Sequence, residues 1–308
     1  MFKRFSILCI ALLWIIPSLA QELSQSDLDV IDEINTSIET TLASATFSVE
    51  GVQTITQNID MGRMELDQEI VQEVRGDYIN ENGTEQYVYF VLVQTLDQDT
   101  GLQALELELT QEILINEEGL YVRFSDIEPA LLVNLYPQEW VDFEEAAPKY
   151  DGLAAINPEQ FLAFTDSQQT TMPFASFTDA IVNLETLDSV EIDGQMMDVY
   201  QTQLDTTIIF SEESVDESLG LFNLDALGLS PDMIDISVDE DSVIEYIFYI
   251  GQDDGLLHRV SSIVDMDMLF DGEALGLGID ELVLSQQFEQ SFDYFNFNEP
   301  ITLPEPSS

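Results

Sequence analysis

Residues 103–124 read QALELELTQEILINEEGLYVRF. Leu105, Leu107, Leu109 and Ile113 fall on one phase of a two-residue period, and Glu106, Glu108 and Glu112 on the other. A strand carries such a pattern when one face is buried and the other is wet. Asn116-Glu117-Glu118-Gly119 then turns the chain into Leu120–Phe124, its antiparallel partner. The leucine phase is expected to meet a core and the glutamates water, because a slip of one residue would exchange the faces.

The same pattern extends upstream. Met64, Leu66, Ile70 and Val74 share a face, with Gln68 and Gln72 between them, while Glu65, Asp67, Glu69 and Glu73 point away. Gly76 and the Asn80–Gly83 turn lead into Gln86–Leu96, which is apolar on both faces. Ahead of these strands, Phe47, Val49 and, past a bulge at Gly51, Ile55 predict a first strand. A helix precedes it: Ser26-x-x-Asp29 resembles a capping box, and Leu28, Ile31, Ile38 and Leu42 follow at helical spacing. The segment is an antiparallel meander behind an amphipathic helix.

Downstream the pattern is mixed. Ile127–Leu135 reads as a short helical run, Asn157-Pro158 starts a helix through Phe164, and Phe177, Ile181, Leu184 and Leu187 predict another ending at Leu187. Val190–Ile192, Asp193-Gly194 and Met196–Leu204 form a hairpin. Ser214–Leu229 reads as helix. Ser242–Ile250 and Leu257–Met268 are strands joined by Gln252–Gly255, and Leu282, Leu284, Phe288, Phe292 and Tyr294 mark one face of a last long strand. The fold class is α+β: one large curved antiparallel sheet with helices on one face.

Charge limits the function. Two of the 7 basic residues, Lys3 and Arg4, precede Gln21, leaving 61 acids against 5 bases (Arg63, Arg75, Arg123, Lys149, Arg259), a surplus of 56. Such a chain cannot neutralise phosphates, which excludes nucleic acid as a partner, and it is repelled by anionic membrane surfaces. Yet 45% of the residues are hydrophobic, so this is a cored fold and not an acidic tail. The acidity fits either high-salt adaptation or an acidic extracellular protein in ordinary water, and both remain open.

Residues 1–20, MFKRFSILCIALLWIIPSLA, have a basic start, a short apolar run and a small-residue exit. That is the pattern of a secretory signal peptide cleaved after Ala20, with a secreted or periplasmic product. Cys9 is the one cysteine and leaves with it. The mature chain then has no disulfide and no thiolate chemistry. The expected organisation is one domain over residues 21–299 followed by a proline-rich tail, 300–308.

Nothing in the sequence builds a catalytic site. His258 is the single histidine. It sits on a strand beside Arg259 and reads as a partly buried structural residue, so no enzyme activity and no cofactor is expected. Asp265-x-Asp267-x3-Asp271 and Asp235-x3-Asp239-Glu240-Asp241 offer hard oxygen ligands without fitting an EF-hand loop. Weak calcium binding by surface carboxylates is the most they suggest, and no dedicated metal site is assigned.

Several short segments resemble the LolA-like and LppX/LprG-like lipoprotein-carrier families: Ala45-Thr46-Phe47-Ser48-Val49 after the first helix, Gly119–Arg123 followed by Trp140, Val190–Gly194 with Tyr200–Asp205, Ile250–Arg259, and Phe295–Pro304. The chain differs in lacking a lipobox cysteine and in its acidity. The resemblance implies a half-open β-barrel whose concave face is covered by helices and encloses an apolar cavity for acyl chains. It also implies that lipid or acylated lipoprotein is the cargo. Residues on the inward phase or on a helix stripe would line that cavity: Leu66, Ile70, Leu107, Leu109, Phe161, Phe177, Ile181, Phe248, Val264, Met266, Leu284 and Phe288. The other reading is a protein-interaction or sensor domain on the same scaffold with a filled core.

Overall fold

The computed structural model describes residues 23–60, 65–81, 85–99, 104–154, 180–209, 237–238, 242–271 and 281–306. Helix α1 spans Gln25–Leu42. The strands are β1 Thr46–Asp60, β2 Glu65–Glu81, β3 Glu85–Asp99, β4 Ala104–Asn116, β5 Gly119–Glu128, β6 Val141–Asp142, β7 Ile181–Ile192, β8 Gln195–Leu204, β9 Ser237–Val238, β10 Val243–Gly251, β11 Leu257–Asp271 and β12 Glu281–Phe295. All pair antiparallel in one sheet of order β6-β5-β4-β3-β2-β1-β12-β11-β10-β8-β7, with β9 on β11. The chain walks outward from β1 to β6, then returns from the far edge, β7, to lay β12 beside β1. β6 and β7 do not pair, so the fold is a curved half-barrel and not a closed one.

One face of this sheet is apolar and the other acidic. Every Asp and Glu of β1–β4 and β10–β12 lies on the outer phase. The inner phase carries Phe47, Val49, Val74, Phe90, Ile113, Val122, Phe248, Val260, Phe292 and Tyr294, all buried in one core. Helix α1 packs on β10 and β11 and adds Ile31, Ile34 and Ile38 to that core. Thr41 Oγ1 accepts a hydrogen bond from the Leu257 backbone N–H at 2.8 Å, tying the helix to the start of β11.

The leucine phase of β4 behaves as its alternation requires. Leu109 and Ile113 are buried, Leu107 half-buried, and Glu106 and Glu108 exposed. Glu112 departs from the expectation. It lies on the outer phase yet is only 8% exposed. Arg123 and Tyr89 bond both its oxygens, and Trp140 lies 4.8 Å beneath the guanidinium. Strand β3 is apolar on both faces for a related reason. Its outer residue Tyr89 meets the Trp140 ring with centroids 6.5 Å apart, and outer Tyr87 donates its hydroxyl to Glu117 at 2.6 Å.

Four other expectations are corrected. The capping box belongs to Ser24 and Asp27, two residues earlier than Ser26: the Ser24 hydroxyl accepts from Asp27 N–H at 3.2 Å and the Asp27 carboxylate from Ser24 N–H at 2.8 Å. There is no bulge at Gly51, because Phe47, Val49, Gly51 and Ile55 already share one phase and the register runs through unshifted. Ile181–Leu187 is strand and not helix. The Asp193-Gly194 turn, with φ of 51° and 87°, folds this segment onto β8, and its Val182 and Thr186 suit a strand. Ile127 and Glu128 still belong to β5, and only Ala130–Leu135 coils, as a 3-10 helix. The helices expected at 157–164 and 214–229 lie outside the described residues. Among the described residues no helix is long and apolar enough to cross a membrane.

Candidate functional site: the inner face of the open sheet

Cross-strand register organises the inner face into transverse rows. One row runs Leu107, Leu96, Ile70, Ile55, Phe288, Val264, Ile244, Leu204, Ile181, one residue from each of nine strands. At an inter-strand spacing of about 4.8 Å it extends for about 38 Å along the curve of the sheet. Its right half is closed: Val264 and Ile244 are each 1% exposed. Its left half is not, since Leu107, Leu96, Ile70, Ile55 and Phe288 are only half-buried. Two further half-buried residues, Ile59 and Leu66, pair in a row beyond it that continues through buried Leu284 and Met268. The inner face therefore grades from a close-packed core beneath α1 to an apolar surface that is partly uncovered over β1–β4.

Ten of the twelve expected lining residues lie on the inner phase of described strands. Ile70, Leu107, Phe288, Val264 and Ile181 share the nine-strand row. Leu66 and Leu284 share the next apolar row, and Met266 lies between the two. Leu109 borders the row on its other side. Phe248, fully buried, belongs to the core row with Phe292, Val260 and Tyr200, nearer α1. Phe161 and Phe177 lie outside the described residues. Ile181 is present through a strand and not through the expected helix stripe.

Between the apolar rows lie polar ones that sequence reading passed over. Gln94, Gln72, Gln53, Gln290, Ser262, Tyr246 and Thr202 form one row across seven strands. Gln98, Gln68, Gln57 and Gln286 form a second across four. The signal was available: four adjacent strands each carry glutamine four residues apart on the inward phase, at 53 and 57, 68 and 72, 94 and 98, and 286 and 290. Gln72 Oε1, Gln286 Oε1 and Ser262 Oγ are buried without a hydrogen-bond partner. A buried acceptor left unfilled costs about 1–3 kcal/mol, so these atoms are expensive to keep as they stand. Burial pushes the Tyr246 phenol well above its ordinary pKa, so the row carries no charge there.

Three solved structures are similar in outline. They are LprF from Mycobacterium bovis (13% identity, 91% of this chain and 98% of that one, TM-score 0.38), the lipoprotein LppX from Mycobacterium tuberculosis (12%, 90% and 100%, TM-score 0.35) and a lipoprotein-sorting domain from Vibrio parahaemolyticus (8%, 88% and 93%, TM-score 0.19). LppX belongs to the family that the sequence segments resemble. No protein-family model matches the sequence, and no curated protein does.

The expected histidine is structural in its surroundings. His258 Nε2 lies 3.0 Å from Asp254 Oδ2, and its ring meets Phe297 edge-on. Burial opposes the charge on Asp254. Hydrogen bonds from Gln195, the Leu256 backbone and His258 outweigh it and hold the carboxyl below the ordinary range. All three arginines of the described strands lie in one outer row, Arg123-Glu112-Val91-Arg75-Glu50-Asp293-Arg259, alternating with carboxylates. No cation of these strands faces inward. Among the described residues no three His, Cys, Asp or Glu side chains gather closely enough to hold a metal ion.

Proposed function

We propose that this chain is an exported, non-enzymatic carrier that holds the acyl chains of a lipid or acylated protein along the inner face of its open sheet. The observation that carries the reading is the half-buried apolar run Leu107-Leu96-Ile70-Ile55-Phe288 on a sheet whose edges do not meet. Each methylene removed from water there gains about 0.8 kcal/mol, so ten carbons bind usefully without any charged contact. That suits strands with no inward cation. Export rests on the signal-like residues 1–20, and the cargo class on the resemblance of short segments to lipoprotein carriers. Leu66, Leu109, Ile181, Phe248, Val264, Met266 and Leu284 are the other lining residues of this reading within the described strands; Phe161 and Phe177 would complete it. Calcium would at most be held weakly by outer-face carboxylates.

The alternative reading, an interaction or sensor domain with a filled core, draws on the closed half of the same row, where Val264 and Ile244 have no exposure to lose. Leu107→Trp separates the two. If the face is open, wild type binds a fluorescent fatty acid, and the variant loses binding while melting at an unchanged temperature. If it is filled, wild type does not bind and the variant is destabilised by ~1–3 kcal/mol through overpacking. Absence of fatty-acid binding by wild type would sink the carrier reading.

A further inference from the structure

We infer that the glutamine rows select the cargo: the inner face takes an uncharged amphiphile bearing hydroxyl groups, held by the carboxamides of Gln53, Gln72 and Gln290 and of Gln57, Gln68 and Gln286. The inference rests on the carrier reading above and adds to it the polarity of the ligand.

A face meant for hydrocarbon alone would be apolar in every row. Here two rows of carboxamides cross it, about 14 Å apart along the strands, with the apolar row between them. They repeat on β3, β2, β1 and β12, the strands where that apolar row is least covered. Three polar atoms of these rows, Gln72 Oε1, Gln286 Oε1 and Ser262 Oγ, lie in residues at least nine-tenths buried and have no partner. Polar groups in such settings are normally satisfied, so three on one face point to a partner that arrives with a ligand.

The chemistry of that partner follows from the residues. A chain with 61 carboxylates places none on the inner phase of β1–β4 and β10–β12, and its strand arginines all face outward. An anionic headgroup would find no cation there and a cationic one no carboxylate. A carboxamide both donates and accepts, and so does a hydroxyl, which satisfies either end of the amide whichever way it points. Esters and ethers only accept and cannot fill Oε1. Glutamine also reaches farther from the sheet than the Ile and Leu beside it, toward a chain lying on the apolar row.

The test uses the purified full chain and three probes of equal chain length: a 1-monoacylglycerol, the methyl ester of the same fatty acid, and that methyl ester with a mid-chain hydroxyl. Each is competed against a fluorescent fatty acid. The expected result is at least about tenfold tighter binding of a hydroxylated probe than of the plain methyl ester, with the two hydroxylated probes distinguishing a headgroup from a chain hydroxyl. Gln72→Met and Gln286→Met, close in shape and without the amide, should each reduce that preference about two- to tenfold. They should leave the methyl ester bound at least as tightly and the melting temperature unchanged or raised. Equal affinity for all three probes, or a preference that both variants keep, overturns the inference while leaving the carrier reading in place. A lower melting temperature in both variants overturns it too, because the amides would then already be satisfied within the fold. Failure of wild type to bind any probe removes both readings.

Discussion

Gly51 on β1 faces Phe292 on β12 so closely that a Cβ built on the glycine would overlap the ring's Cδ1 and the Ser291 carbonyl oxygen. These two strands join the outgoing and returning halves of the sheet. The ring could turn aside, but the carbonyl belongs to the backbone of β12 and cannot. Gly51→Ala should therefore destabilise the protein by about 2–3 kcal/mol, read as a lower urea midpoint. An unchanged midpoint would mean that the two halves can separate slightly without loss.

Glu112 gives a second test, because it is a carboxylate kept from water on the wet face. Arg123 donates Nε and Nη2 to its two oxygens, the latter at 2.7 Å, and Tyr89 donates at 2.6 Å. Arg123→Ala leaves that buried charge with the phenol alone. With the guanidinium side chain 38% exposed, and so partly screened, the expected loss is about 1–2 kcal/mol by urea denaturation. Replacing Arg123 and Glu112 together by leucine should recover most of it, since no buried charge then remains. Equal losses from the single and double variants would show that packing on Trp140, and not charge, holds the site.

The same site dictates behaviour in alkali. Burial raises the Tyr89 phenol, and Glu112 raises it further, to about 12. The unfolded chain releases that proton near the ordinary value of about 10. Between the two values the folded state binds more protons than the unfolded one, so this contribution is complete below pH 10 and is lost as pH rises from 10 to 12. Tyr89→Phe should flatten the decline in melting temperature across that window. A decline as steep as in wild type would assign the loss to other groups; Tyr200, raised by burial and by Glu33, is the next to test.

Much of this fold was legible because the carboxylates mark the wet phase of each strand. Six acids at odd positions of β2 fix its orientation without any reference to packing. Ile181–Leu187 was not legible. Its apolar residues fit a helical stripe as well as an edge strand, and only pairing with β8, a tertiary event, decides between them. The candidate face was half legible: its leucines and isoleucines were read from alternation, whereas the glutamines passed as spacers. A polar residue on an inward phase looks incidental in one strand. It becomes a row only when register sets Gln72 against Gln53 and Gln94.

The last prediction concerns the acidic outer face. Asp97 stands between Glu69 and Glu106 in direct cross-strand register, and all three are exposed. Nearby, Asp67 is opposite Asp99 and Asp60 opposite Glu65. Asn58 donates from one amide nitrogen to both Glu65 and Asp67, at 3.0 and 2.7 Å, a local answer to crowding, whereas the register neighbours of Asp97 are both carboxylates. Like charges directly opposite are destabilising, and the interaction is screened within about 10 Å at 0.1 M salt. Added sodium chloride should therefore raise the melting temperature of the wild type. Asp97→Asn should stabilise by about 0.5–1 kcal/mol at low ionic strength, and the gain should shrink toward zero at molar salt. A gain that persists in molar salt would come from strand propensity or hydrogen bonding. A wild-type melting temperature that is flat from low to molar salt would mean that charge spacing or bound cations already contain the repulsion.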